Sequence, residues 1–288
     1  MSVAFAHSKQ EIDREVTKLA RGFSIEILAK DANDVSQWKH RIPARTAVYI
    51  AQLPDQSFEQ IVDAALKLQQ AGVVAVPHLA VRKVSSKSWL RQQFTKLQQA
   101  GVQQILVIAG DRAVEQPVFS SSFALMQTGW LEKFGFTKVG IAGHPEGLGF
   151  ASKEKTTQIL LQKCAYAKQS PAKFHIVTQF GLEPQTTTRW EQDLRQAGVT
   201  LDIHAGMAGR INAARLLQFA VKCGVGSAVQ LATKSPQKML SISRRASAEK
   251  TIQALASYRL QQPDCLITKV HFFPFGSFAK TLHWASRL

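Results

Sequence analysis

Eight apolar, β-branched runs, each separated from the next by a stretch of helical pattern, constrain this chain more than any other feature. They are Phe23–Leu28, Thr46–Gln52, Val73–Val81, Gln103–Asp111, Lys138–His144, Lys173–Phe180, Leu201–Met207 and Cys265–Phe275. Several stop abruptly on residues that can do chemistry. Lys138–Gly147 (KVGIAGHPEG) runs into His144-Pro145-Glu146, and His175–Phe180 (HIVTQF) into Thr178-Gln179. Ile105–Asp111 reads ILVIAGD and Val73–Leu79 reads VVAVPHL. Strands whose polar groups gather at their C-terminal ends belong to a barrel with its site on one rim.

The gaps carry helices. Phe58–Gln70 repeats Ile61, Ala64, Ala65 and Leu68 on one face, and Ser86–Gln99 repeats Trp89, Leu90, Phe94 and Leu97. Ser152–Lys168, Pro184–Gln196, Arg210–Cys223 and Ala246–Leu260 are expected to follow suit. Ala71-Gly72-Val73, Ala100-Gly101-Val102 and Ala197-Gly198-Val199 each place a glycine between helix and strand, where a left-handed residue closes the helix. Parallel strands require such crossovers. The expected fold is a single-domain (β/α)8 TIM barrel over residues 1–288, with residues 1–22 as an N-terminal helical extension. No GxGxxG follows the first strand, which argues against a dinucleotide-binding open sheet.

Composition narrows the setting. No run of about 18 apolar residues is present, so no membrane span is expected. The N-terminus meets acidic residues too early for a secretory signal. Cys164, Cys223 and Cys265 are odd in number and lack metal spacing, as expected of reduced thiols in a cytoplasmic protein. The net charge is +16, densest over Lys234–Lys250, which reads as a rim loop and helix start. A solvated basic surface, a small polyanionic ligand or nucleic acid would each account for it. Nucleic acid is the weakest of the three, because no arginine-rich arm, zinc finger or RNA-binding aromatic motif accompanies the charge.

The series Ser24-Ile25-Glu26, Pro77-His78-Leu79, Ala109-Gly110-Asp111, Ala142-Gly143-His144-Pro145-Glu146 and Thr178-Gln179-Phe180 resembles the methylenetetrahydrofolate reductase family, in that family's order and near its spacing. Val270-His271-Phe272-Phe273 is similar to the family's last barrel strand. The resemblance implies a barrel carrying FAD that interconverts methylenetetrahydrofolate and methyltetrahydrofolate, with NAD(P)H or another electron-transfer partner. It implies Glu26 as the acid that protonates the folate and Asp111 as a charge near the flavin. Flavin contacts are implied for His78, Gly110, Asp111, Phe119, Ser120, Ala142, His144 and Lys163, and folate contacts for Glu26, Gln179 and Phe273.

The residues themselves allow other readings. Glu26, flanked by Ile25, Ile27 and Leu28, is expected to be partly desolvated, which would keep a proton available near neutrality. The same environment suits a glutamate paired with a basic residue. Asp111 after Gly110 suits a helix cap. His78 suits a satisfied structural histidine. Gln179 offers a donor and an acceptor side by side, as a pterin edge requires.

The chain departs from the family pattern at the periphery. Ile27-Leu28-Ala29-Lys30 stands where aromatic residues and prolines are usual, and His144 stands in place of a tyrosine. Leu148 replaces a histidine, Thr156 or Thr157 an aspartate, and Ala213 a phenylalanine that stacks nicotinamide or folate. The stretch from Lys163 to Gln179 is longer than usual. These changes put the electron donor in question and keep open a barrel that binds folate or flavin without turnover.

Overall fold

The computed structural model describes residues 7–110, 114–147, 151–181, 183–211, 213–222 and 247–288. Eight parallel strands follow one another in sequence order around a closed barrel. They are β1 Ser24–Leu28, β2 Ala47–Ala51, β3 Val74–Ala80, β4 Gln104–Ile108, β5 Lys138–Gly143, β6 Lys173–Thr178, β7 Asp202–Ala208 and β8 Ile267–Phe273. Each expected strand is present, trimmed or shifted by one to three residues at its ends. Asp111, expected as the last residue of the fourth strand, lies outside the described residues, as do Cys223 and most of the basic stretch 234–250. Gly72, Gly101 and Gly198 have φ of +78°, +75° and +93°, the left-handed closure expected of them.

The chain divides into two compact units. One comprises Ser24–Ala142 and Gln162–Val177. Here β1 pairs with β2 with Glu26 opposite Tyr49, β2 pairs with β3, and β3 pairs with β4 with His78 opposite Leu106. Tyr49, Val76, Leu106 and Val177 form one buried cluster, although they come from β2, β3, β4 and β6. Side chains from strands that are not neighbours meet only inside the barrel. Helix α3, Phe58–Gln70, starts on a capping box between Ser57 and Gln60 and buries Ile61, Ala64, Ala65 and Leu68. Helix α4, Lys87–Gln99, buries Leu90, Phe94 and Leu97, and Phe94 packs edge-on against Phe134 and Phe136.

The other unit comprises Met1–Phe23, Gly143–Leu161 and Thr178–Leu288. The N-terminal helix Lys9–Ala20 packs on helix Ala248–Gln261 and on β8. Two buried carboxylates pin this layer. Glu15 accepts from Arg259 Nε at 2.7 Å, and Arg259 also donates to the Ile267 carbonyl. Glu191, fully buried, accepts from Arg195 Nε at 3.0 Å, from the Leu266 amide at 3.0 Å and from the Tyr258 hydroxyl at 2.5 Å. Phe272 packs between Phe23 and Trp284, so it faces the helices and its neighbours His271 and Phe273 face inward.

Short helices at Ser122–Met126, Trp130–Lys133 and Phe278–Ala285 were not anticipated by the periodicity, because four to eight residues hold too few turns to show a stripe. Among the described residues, no helix is long and apolar enough to cross a membrane.

Candidate functional site

Inside the barrel, alternation decides which side chains can meet. On β1 the inward set includes Glu26, on β2 Tyr49, and on β3 Val76 and His78. The proof is contact across strands that are not neighbours. His78 Nε2 lies 3.9 Å from Glu26 Oε2, joining β3 to β1. The Tyr49 hydroxyl lies 2.9 Å from His175 Nε2, joining β2 to β6. The Tyr49 ring meets the His78 ring edge-to-face at 5.8 Å. Gly140 of β5 makes room for this group: a Cβ there would stand 3.4 Å from His175 Nε2 and 2.8 Å from Leu106 Cδ1.

Electrostatics follow from this enclosure. Burial raises the Glu26 carboxyl above the ordinary carboxylate range, and the neighbouring His78 charge opposes that rise. The result is an acid that holds its proton to higher pH than a surface glutamate. Burial also pushes the Tyr49 phenol up, so it stays neutral. On helix α7, Lys153–Ala167, Lys163 is buried and its ammonium is pushed down to about 8 by the same desolvation.

The second unit has its own inward set. His204, Gly206 and Ala208 alternate along β7, opposite Lys269, His271 and Phe273 of β8. Gly206 is squeezed between strands: a Cβ would lie 2.1 Å from the Thr178 carbonyl oxygen and 2.7 Å from the Phe273 ring. Its amide donates to Thr178 Oγ1 at 2.7 Å. The Gln179 backbone amide, one residue past β6, donates to the Gly143 carbonyl at 2.8 Å. Phe273 belongs to an aromatic group with Phe180, Phe275 and His271, at centroid separations of 5.8, 5.8 and 4.7 Å. His271 is fully buried and pushed down to about 3, so it stays neutral.

A sequence profile of methylenetetrahydrofolate reductase matches residues 54–272, about three quarters of the chain.

The chain belongs to the methylenetetrahydrofolate reductase family.

One solved structure shares the fold. An uncharacterised protein from Clostridium thermocellum, which binds two copies of 5-methyl-5,6,7,8-tetrahydrofolic acid, is 12% identical with a TM-score of 0.58, over 96% of this chain and 98% of that one. The Yersinia pestis dihydropteroate synthase is 13% identical with a TM-score of 0.48, over 92% and 91%. At 12% identity the likeness to the Clostridium thermocellum protein is one of fold alone.

Within this methylenetetrahydrofolate reductase family barrel, the residues singled out by sequence fall into separate groups. Glu26 and His78 are brought together. Gln179 and Phe273 both crowd Gly206. His144 follows β5 directly and Ala142 lies in it, both half-buried. Gly110 follows β4 with φ of +87°, its absent Cβ only 2.9 Å from Ala80 Cβ. Phe119 is buried against Trp130, and Ser120 is exposed with its carbonyl accepting from Arg82 Nε. Asp111 lies outside the described residues.

Tyr49 and His175 escaped the sequence reading. His175 stands four residues before Gln179 on the same strand parity, a signal that could have marked it as inward. Nothing local to Tyr49 announces a partner 126 residues away.

Proposed function

We propose that this barrel interconverts methylenetetrahydrofolate and methyltetrahydrofolate with the help of FAD. The observation that carries this reading is the buried Glu26 carboxyl, raised in proton affinity and set beside His78 inside a barrel of the methylenetetrahydrofolate reductase family. The Clostridium thermocellum protein of the same fold binds 5-methyl-5,6,7,8-tetrahydrofolic acid, which supports a folate as the ligand.

Whether FAD suits the side chains present can be asked of Lys163. A buried ammonium held down to about 8 gains from an anionic neighbour, which a flavin phosphate supplies. The half-buried Ala142 and His144, and the buried His78, are the remaining surfaces assigned to it. Gly110, Phe119 and Ser120 are the outer contacts proposed for it. When bound, FAD supplies a two-electron hydride carrier.

The chain's own contribution is a proton and a grip. Glu26 gives its proton to a folate nitrogen, so that the methylene bridge opens before hydride arrives. Burial holds that proton to higher pH than an exposed glutamate would hold it. Gln179 donates and accepts along the pterin edge. Phe273, held by Phe180 and Phe275, offers an aromatic face to the folate.

Purified protein titrated with FAD and then, without oxygen, with methyltetrahydrofolate decides the matter. The reading expects saturable FAD binding and loss of the flavin's visible absorbance. Glu26→Gln is expected to lower folate turnover by about 10²–10⁴-fold with FAD binding retained. NADH and NADPH are expected to reduce the flavin slowly. Without a ring at Ala213, they lose a stacking contact commonly worth about 0.5–1.5 kcal/mol. Failure to bind FAD at any concentration, with methyltetrahydrofolate still bound, would establish the other reading, a folate-binding barrel without redox chemistry.

A further inference from the structure

Glu26 and His78 stand in an unusual relation. At 3.9 Å the carboxyl and imidazole are within ion-pair range but beyond the 2.7–3.2 Å of a normal hydrogen bond. Both are shielded, with side-chain exposures of 18% and 9%. Charge on either one therefore acts strongly on the other, while the Glu26 proton is not tied up in a bond to His78. If the contact served packing alone, apolar residues of similar volume would serve at least as well, because burying two charges is costly.

The surroundings make the histidine's position definite. Tyr49 lies in register beside Glu26 on β2 and sets its ring edge-to-face on His78. Its hydroxyl is tied to His175 on β6, so the ring cannot swing away. The phenol is neutral and contributes no charge of its own. On β4, opposite His78, stands the apolar Leu106, with Ile108 two residues on. Asp111, farther along the chain, lies outside the described residues.

We propose that Glu26 and His78 form a charge-coupled pair, with His78 setting the proton affinity of the acid and Tyr49 and His175 acting as positioning residues for His78. In each cycle the Glu26 O–H bond breaks and an N–H bond forms on the substrate. The carboxylate left behind strengthens proton binding at His78. Solvent returns the next proton to Glu26, so one solvent proton is consumed per turnover, and this proton exchange itself moves no electrons. The pairing deepens the reading of Glu26 as a folate acid, but it is a property of the protein without ligand.

The test is a pH titration of the full chain by NMR, with ¹³C-carboxyl glutamate and ¹⁵N histidine labels and no ligand. Two coupled steps are expected at both Glu26 and His78. His78→Gln should leave a single Glu26 step, moved upward by about one unit or more, because an opposite charge at this distance is worth about that much. Glu26→Gln should lower the His78 step by the same amount, since coupling is reciprocal. Tyr49→Phe should move Glu26 in the same direction as His78→Gln, by less. A Glu26 titration indifferent to His78, or a His78 titration indifferent to Glu26, would overturn the pair. Coupled titration in a protein that never turns over folate would uphold the pair and discard the folate role.

Discussion

Gly206 and Phe273 face each other across β7 and β8 with no room for a methyl group between them: a Cβ on Gly206 would stand 2.7 Å from the Phe273 ring. On its other side the Thr178 carbonyl oxygen would be 2.1 Å away, and a backbone atom cannot yield as a side-chain tip can. The Gly206–Arg210 segment is strand as far as Ala208, and its small residues serve close approach.

Gly206→Ala should therefore destabilise the protein by about 3 kcal/mol, the upper range for forced overpacking. It should also displace Phe273 and weaken folate binding. Chemical denaturation checks the first and ligand titration the second. An alanine variant as stable as the parent would show that β6 and β7 are not packed this closely.

Glu191, itself fully buried, gathers three half-buried donors: Arg195, Tyr258 and the Leu266 amide. Glu191→Ala would remove the shared acceptor of all three, at about 1–3 kcal/mol. Glu191→Gln keeps one acceptor and should cost less. The comparison by thermal melting separates loss of charge from loss of shape, and equal melting of both variants would show that shape alone matters.

Lys163 supplies a pH signature. Its ammonium is pushed from 10.5 to about 8, so the folded chain releases this proton before the unfolded chain does. The penalty is present in full below about pH 8 and fades as pH rises toward 10.5. Lys163→Met should accordingly be more stable than the parent at pH 7, by an amount on the order of 3 kcal/mol, and lose that advantage by pH 10. FAD binding should reverse the sign for the parent, drawing a proton onto Lys163 near pH 8. Calorimetry in buffers of different ionisation enthalpy reads that uptake, and FAD binding with no proton uptake would place the flavin away from Lys163.

Glu26 behaves in the opposite sense to a salt-bridged carboxylate. Its proton affinity is raised in the fold, so its stability contribution is complete below the unfolded value of 4.5 and is lost as pH rises through the raised one. Glu26→Gln should melt higher than the parent at pH 8, and the gap should close toward pH 4. A gap that widens on acidification would mean that the ionised form is the one the fold prefers.

Histidine 271 shows how far a sequence carries and where it stops. The strand Val270-His271-Phe272-Phe273 is legible from its β-branched and aromatic run, and alternation puts His271 and Phe273 on one face and Phe272 on the other. Which face looks inward is settled only when Phe272 is seen packed on Phe23 and Trp284. The eight strands, the crossover helices and their glycine closures are local properties, written in periods of 2 and 3.6 residues and in the left-handed freedom of glycine. So is the chemical type of each rim residue, from Glu26 to Gln179. The proximity of Glu26 to His78, the tie from Tyr49 to His175 and the three-donor site of Glu191 join residues 52, 126 and up to 75 positions apart. Such pairs leave no periodic trace in the chain. Barrel formation and the packing of its outer helices bring them within reach, and the burial that comes with it shifts the proton affinities of Glu26, Tyr49, Lys163 and His271, because desolvation acts on where a group ends up and not on what precedes it in sequence.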